Sequence, residues 1–126
     1  MTDYTAIARA LFDAFQAGDI EAARALCHDQ FEGSQNGGPA MNRAGLLGFV
    51  AAVKAKVPDF RYEDIVCAAT TDGFVEEHTV RGKLPDGGQI NLRLCIVASV
   101  EDGKVRHVRE YLDSAGALGL AKALAG

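Results

Sequence analysis

The hydrophobic pattern of the chain has a helical period through most of its first half and a period of two through most of its second. Tyr4, Ile7, Ala8, Leu11, Phe12 and Phe15 recur three and four residues apart, which gathers them on one stripe of an amphipathic helix. Thr2 or Asp3 stands where that helix needs a cap and Gly18 where it must stop. Asp19 caps a second, shorter helix with Ala22, Ala23, Leu26 and Cys27 on its apolar side. "HDQFEGS" reads as a short strand and "SQNGGPAMN" as a loop, because it concentrates turn-forming residues. Asn42 then caps a third helix carrying Leu46, Phe49, Val50, Val53 and Val57, and Pro58 ends it.

From Phe60 onward apolar and polar residues alternate, and Asp72-Gly73, Asp86-Gly87 and Asp102-Gly103 fall at strand-length intervals. Asp-Gly pairs between alternating runs are hairpin signals, so four strands form an antiparallel meander. Ser114 is placed to cap a last helix bearing Leu118, Ala121 and Leu124. The order is helix, helix, strand, helix, four strands, helix, which makes the chain α+β, with one curved sheet and helices packed on one face.

Composition narrows the class of function. A chain of 126 residues, 48% hydrophobic and 24% charged, suits one globular domain over residues 1–126. Its net charge of -4 is spread without a basic run, which excludes nucleic acid and anionic membrane as expected partners. Cys27, Cys67 and Cys95 are odd in number and far apart, so they read as reduced thiols of a cytoplasmic protein. No signal-peptide order and no apolar run of transmembrane length is present.

The strand "VRHVREYLDS" poses the chemical question. Its even face sets Glu110 between Val108 and Leu112, and a lone carboxylate on an apolar face is costly unless paired, hydrogen-bonded or protonated. Reading "EDG" as a three-residue loop puts Leu94 opposite Glu110, Leu92 opposite Leu112 and Ile96 opposite Val108. A two-residue turn would instead put Cys95 opposite Glu110. Matching aliphatic to aliphatic favours the first register, so Glu110 points to the apolar side. There its charged form is disfavoured, and it becomes a candidate general base or acid.

The strand "FVEEHTVRG" is ambiguous, being nearly as apolar on its even face, Phe74 and Val80, as on its odd face, Val75. One parity brings Glu77, Thr79 and Arg81 inward; the other brings Glu76 and His78. With the first, His78 joins Arg93, His107, Arg109 and Tyr111 in a polar-aromatic patch on the outer sheet face, suited to a homodimer interface. The three histidines lack metal-ligand spacing, and no metal or organic cofactor is expected.

"FQAGDIEAARALCHDQFE", "VPDF" and "EDGKVRHVREYLDS" resemble the nuclear transport factor 2-like superfamily, especially its SnoaL-like and limonene-epoxide-hydrolase-like branches, over nearly the whole chain. The resemblance implies a cone-shaped curved antiparallel sheet capped by the N-terminal helices around a deep pocket. In the limonene-epoxide hydrolases two aspartates bridged by an arginine activate water, helped by a tyrosine and an asparagine. Here the arginine position falls on Glu77, the aspartates on Thr79 and Glu110, and the tyrosine and asparagine on Phe31 and Gly33. That machinery is therefore lost, and limonene-type epoxide hydrolysis is not expected.

The resulting expectation is a pocket enzyme of SnoaL-like type. It would perform proton-transfer chemistry such as isomerisation, cyclisation or dehydration on a small, mainly apolar, oxygenated molecule of polyketide, terpenoid or steroid-like character. Glu110 is the expected base, Glu77 and Thr79 relay or polarise, and Phe31, Arg81, Leu92, Leu94 and Leu112 bind substrate. The rival expectation is a non-catalytic binding module for a hydrophobic small molecule or a partner protein.

Overall fold

The computed structural model describes residues 2–126. Helix α1 (Tyr4–Ala17) is capped by the Asp3 carboxylate, which accepts from the Ala6 amide, and ends at Gly18 in the left-handed region at φ 69°. Asp19 caps α2 (Ile20–Leu26) through the Ala22 amide, and Asn42 caps α3 (Arg43–Lys56) through the Gly45 amide. Each cap satisfies a backbone donor that the first turn leaves without a partner. The last helix, α4 (Leu118–Ala125), has Ala117 at its start and no side-chain cap. Ser114 lies a turn too early for that role, and its hydroxyl oxygen accepts from the Asn36 side-chain amide at 3.1 Å.

The sheet has six strands, with β1 (Cys27–Gln35), β2 (Met41–Asn42), β3 (Arg61–Ala69), β4 (Gly73–Lys83), β5 (Gln89–Glu101) and β6 (Lys104–Leu112). Their order is β2-β1-β6-β5-β4-β3. The expected meander is present as β3 to β6, and β1 adds to it in parallel beside β6, pairing Gln35 with Glu110. The helices bury Leu11, Phe12, Phe15, Val50 and Val53 against the inner sheet face, whose buried residues include Phe74, Val80, Leu92, Leu94 and Ile96.

At the close approach of β4 to β5 only glycine fits, because a Cβ on Gly73 would stand 2.0 Å from the Ala98 carbonyl oxygen. Register shifts interrupt the β1–β6, β3–β4 and β5–β6 ladders, and such bulges bend a sheet and increase its twist. The bulge between β5 and β6 corrects the expected register. Asp102 and Gly103 form a two-residue turn with φ 54° and 74° and pair Glu101 with Lys104. Continued unbroken, that register would set Glu110 opposite Cys95. An extra residue in β6 at Arg106, opposite the step from Ser99 to Val100, shifts the pairing to Ile96 with Glu110 and Leu94 with Leu112. The carboxylate thus reaches the inner face, two residues out of the expected register but with the expected parity.

Candidate active site

Strand parity decides which side chains meet. On β4 the even residues Phe74, Glu76, His78 and Val80 are buried on the inner face. Glu77, Thr79 and Arg81 therefore project from the opposite face, correcting their placement in the pocket. There Arg93 donates to Glu77 at 3.3 Å and to the Thr79 hydroxyl at 3.2 Å. His78 likewise leaves the outer patch, whereas His107, Arg109 and Tyr111 remain exposed there.

The inner face and the helices frame a cavity of about 130 Å³ that opens to solvent beside Phe49 and Gln35. Its floor is Leu92, Leu94 and Ile96 from β5, and its far wall is Phe12 and Phe15 from α1 with Val50 and Val53 from α3. Phe31 and Leu112, expected to bind substrate, also line it. Among this apolar surface five side chains bring polar atoms: Glu110, Gln35, His78, Tyr62 and Lys54. The sheet places the first three by register: Gln35 neighbours Glu110 across β1 and β6, Ile96 separates Glu110 from Glu76, and Leu94 pairs with both Leu112 and His78. Two strand spacings, about 9.6 Å of backbone, thus separate the Glu110 row position from that of Glu76.

Glu76 and His78 are the least solvated ionisable pair of the site, at 2% and 1% exposure, and the Glu76 Oε2 to His78 Nδ1 distance is 2.6 Å. A buried carboxylate needs a partner of this kind, and the bond fixes which ring nitrogen remains available. With Nδ1–H donated to Glu76, Nε2 is the nitrogen left for chemistry in the cavity that His78 lines. The ring is further held by Phe12, edge-on at a centroid distance of 4.9 Å, and by Tyr62 at 4.4 Å.

Glu110 is half-buried, its free surface opening on the cavity. Desolvation raises its carboxyl above the ordinary value, against the opposing pull of the Gln35 amide and the His78 charge. Gln35 Nε2 donates to Glu110 Oε1 at 3.4 Å, a long bond that restrains the carboxyl weakly. Burial, with the Glu110 and Glu76 charges adding to it, raises the Tyr62 phenol, so it stays a neutral donor. The Lys54 ammonium donates to the Gln16 and Pro58 carbonyls at 2.9 and 2.8 Å, which ties together the ends of α1 and α3 and leaves its aliphatic stem to the cavity.

The loop after β1 is fixed to the site's rim. The Asn36 side chain accepts from the Leu112 amide and donates to the Leu112 carbonyl, each at 3.0 Å, and its own amide donates to the Glu110 carbonyl at 2.8 Å. Away from this cavity, His28, Glu101 and Asp102 gather three potential metal-ligand atoms at the β5–β6 hairpin. Glu101 there also lies 3.6 Å from Arg106, and the group reads as a surface ion-pair cluster.

Sequence reasoning placed Glu110, Phe31, Leu92, Leu94 and Leu112 at the cavity and did not single out Tyr62 or Gln35. The available signal for His78 was the pairing of Phe74 and Val80 on one face of β4, two large apolar residues against Val75 alone.

A six-stranded curved sheet holding helices and a cavity on its inner face, with residues 8–108 matching the SnoaL-like domain family, decides the relationship. The chain belongs to the SnoaL-like family. Its fold is that of the nuclear transport factor 2-like superfamily. Among solved structures, this SnoaL-like domain is similar to a proposed polyketide cyclase from Pseudomonas putida KT2440. That match has 25% identity, covers 92% of this chain and 95% of the other, and has a TM-score of 0.80. A proposed polyketide cyclase from Xanthomonas campestris pv. campestris matches at 24% identity over 89% and 91% of the two chains, with a TM-score of 0.79. An LEH-like epoxide hydrolase from M. tuberculosis matches at 19% identity over 95% and 87%, with a TM-score of 0.74. No curated protein matches the chain in sequence. No helix among the described residues of this SnoaL-like domain is long and apolar enough to cross a membrane.

Proposed function

We propose that this SnoaL-like domain is an acid–base enzyme that moves a proton on a small, mainly apolar, oxygenated molecule held in the cavity. The observation that carries the reading is the opposition, across an apolar floor, of a desolvated carboxyl, Glu110, to an imidazole, His78, whose Nδ1 is engaged by a buried carboxylate. Glu110 as carboxylate takes a proton from the carbon beside a carbonyl, and the electron pair moves onto the carbonyl oxygen. His78 as imidazolium gives that oxygen its Nε2 proton, while Glu76 keeps the Nδ1 proton in place. The enol oxygen then returns its proton to His78 Nε2 while Glu110 delivers its proton to the same or a different carbon, which completes an exchange or an isomerisation and restores both groups. The neutral Tyr62 phenol is a second donor to the oxygen.

Proton abstraction is measurable without the natural substrate. Cyclohexenone, tetralone and a four-ring ketosteroid incubated in D₂O should yield enzyme-dependent deuterium at the carbon beside the carbonyl of at least one of them, read by mass spectrometry. Glu110→Gln should abolish the gain, and absence of exchange for every member would remove the assignment.

Two further parts of the reading concern the whole molecule. Tyr111, 46% exposed, and Val66, 60% exposed, lie on the outer sheet face with Arg93, His107 and Arg109, which supports a homodimer through that face. Light scattering at high micromolar concentration should give twice the chain mass; a monomer refutes it. The free thiols Cys27, Cys67 and Cys95 suit the reducing cytoplasm.

A further inference from the structure

Resting on the acid–base reading of this cavity, we propose that its substrate is a neutral single-ring ketone, enone or phenol rather than a fused polycycle or an anion. Size comes first. A closed cavity of about 150 Å³ lined by aliphatic and aromatic side chains holds one benzene, and the space here is about 130 Å³. One six-membered ring fills it, whereas three or four fused rings leave part of the molecule outside, past the exposed Phe49 rim, or require the Phe12 and Val50 walls to move. Those residues are buried at 6% and 7% exposure in the core shared by α1, α3 and the sheet, so such movement opens the core itself.

Charge then excludes anions. Glu110 lines the cavity and Glu76 lies directly behind His78. Among the described residues no arginine lines it, and the ammonium of the one lining lysine, Lys54, is committed to two carbonyls. A carboxylate or phosphate brought in would be desolvated near two acids, with the His78 imidazolium already paired with Glu76, at a cost of several kcal/mol. The polar atoms also define what the ring must carry. His78 Nε2 and the Tyr62 phenol offer protons on one side, and Glu110 accepts one on the other. A carbonyl or hydroxyl oxygen toward His78 and an acidic C–H or O–H toward Glu110 satisfy both sides at once.

Methyl-labelled protein gives the test, read as chemical-shift changes of Leu92, Leu94 and Ile96 during titration with cyclohexenone, phenol, benzoate and a four-ring ketosteroid. Cyclohexenone and phenol should shift those methyls saturably, and benzoate and the steroid should bind at least tenfold more weakly. Steroid or benzoate affinity within threefold of cyclohexenone overturns the proposal, as does the absence of any shift with both single-ring probes. Saturable binding of cyclohexenone without deuterium exchange supports this size and charge class while removing the catalytic reading. Exchange on the steroid with no single-ring binding does the reverse.

Discussion

Glu110→Gln separates a desolvated carboxyl from a merely decorative one through stability alone. The substitution keeps the shape of the side chain, and an amide can still meet Gln35. In the wild type, burial raises the folded-state value above the ordinary 4.5. Below pH 4.5 the carboxyl is protonated in both folded and unfolded chains, and the full stability is present. As pH rises from there, the unfolded chain ionises first, so stability is lost until the folded-state value is passed, and it stays constant beyond. Each pH unit between the two values removes about 1.4 kcal/mol. With a urea m-value of about 1.5 kcal/mol/M, each unit moves the unfolding midpoint by about 0.9 M. The chain has no Trp, so far-UV circular dichroism is the suitable probe, with urea titrations of both proteins at half-unit steps from pH 4 to 8. The difference, wild type minus variant, should fall with pH and then level off, the drop measuring the shift. A difference that stays flat or rises would show that Glu110 is solvated or ion-paired, and its role as base would go with it.

Gly73→Ala should destabilise by about 3 kcal/mol in the same titrations, because its Cβ would meet the Ala98 carbonyl oxygen at 2.0 Å and β4 and β5 would have to part; a loss below 1 kcal/mol would mean the two strands separate easily there. Glu77→Gln removes only a half-exposed pairing with Arg93, so it should change stability by less than about 0.5 kcal/mol and leave deuterium exchange intact, whereas loss of exchange would restore Glu77 to the site. Asn36→Ala deletes the side-chain bonds to Leu112 and Ser114. It should cost about 1–2 kcal/mol and raise amide hydrogen exchange at Leu112 in particular; unchanged protection there would show that pairing with β5 suffices to hold the end of β6.

The elements were legible because their signals are local. Asp3, Asp19, Asn42 and Gly18 mark helix ends by hydrogen bonds within one turn, and the three Asp-Gly pairs fall at the three hairpins. The face of Glu110 was legible too, since Val108 and Leu112 flank it on a strand whose other face is polar. The face of β4 was not. Glu76 and His78 look like solvent-facing residues one at a time, and only their mutual bond makes both tolerable in the core. Satisfaction of that kind is a property of a pair, and hydropathy scores residues singly. The pairing of β1 with β6 was also hidden, because nothing in "HDQFEGS" indicates a partner some seventy-five residues away.

That distant partnership sets an order of events on the ribosome. The strand carrying Phe31 and Gln35 leaves the exit tunnel well before the strand it must lie beside, and at 5–20 residues per second the wait for the 75 residues separating Gln35 from Glu110 is roughly 4–15 s. Through that interval α1 and α2 hold their apolar stripes with only part of a sheet to cover them, and β1 has no neighbour in the sheet but the two-residue β2. The cavity is therefore among the last parts of the molecule to exist. A nascent chain stalled before Lys104 would present its inner face to other proteins instead of closing it around a ligand.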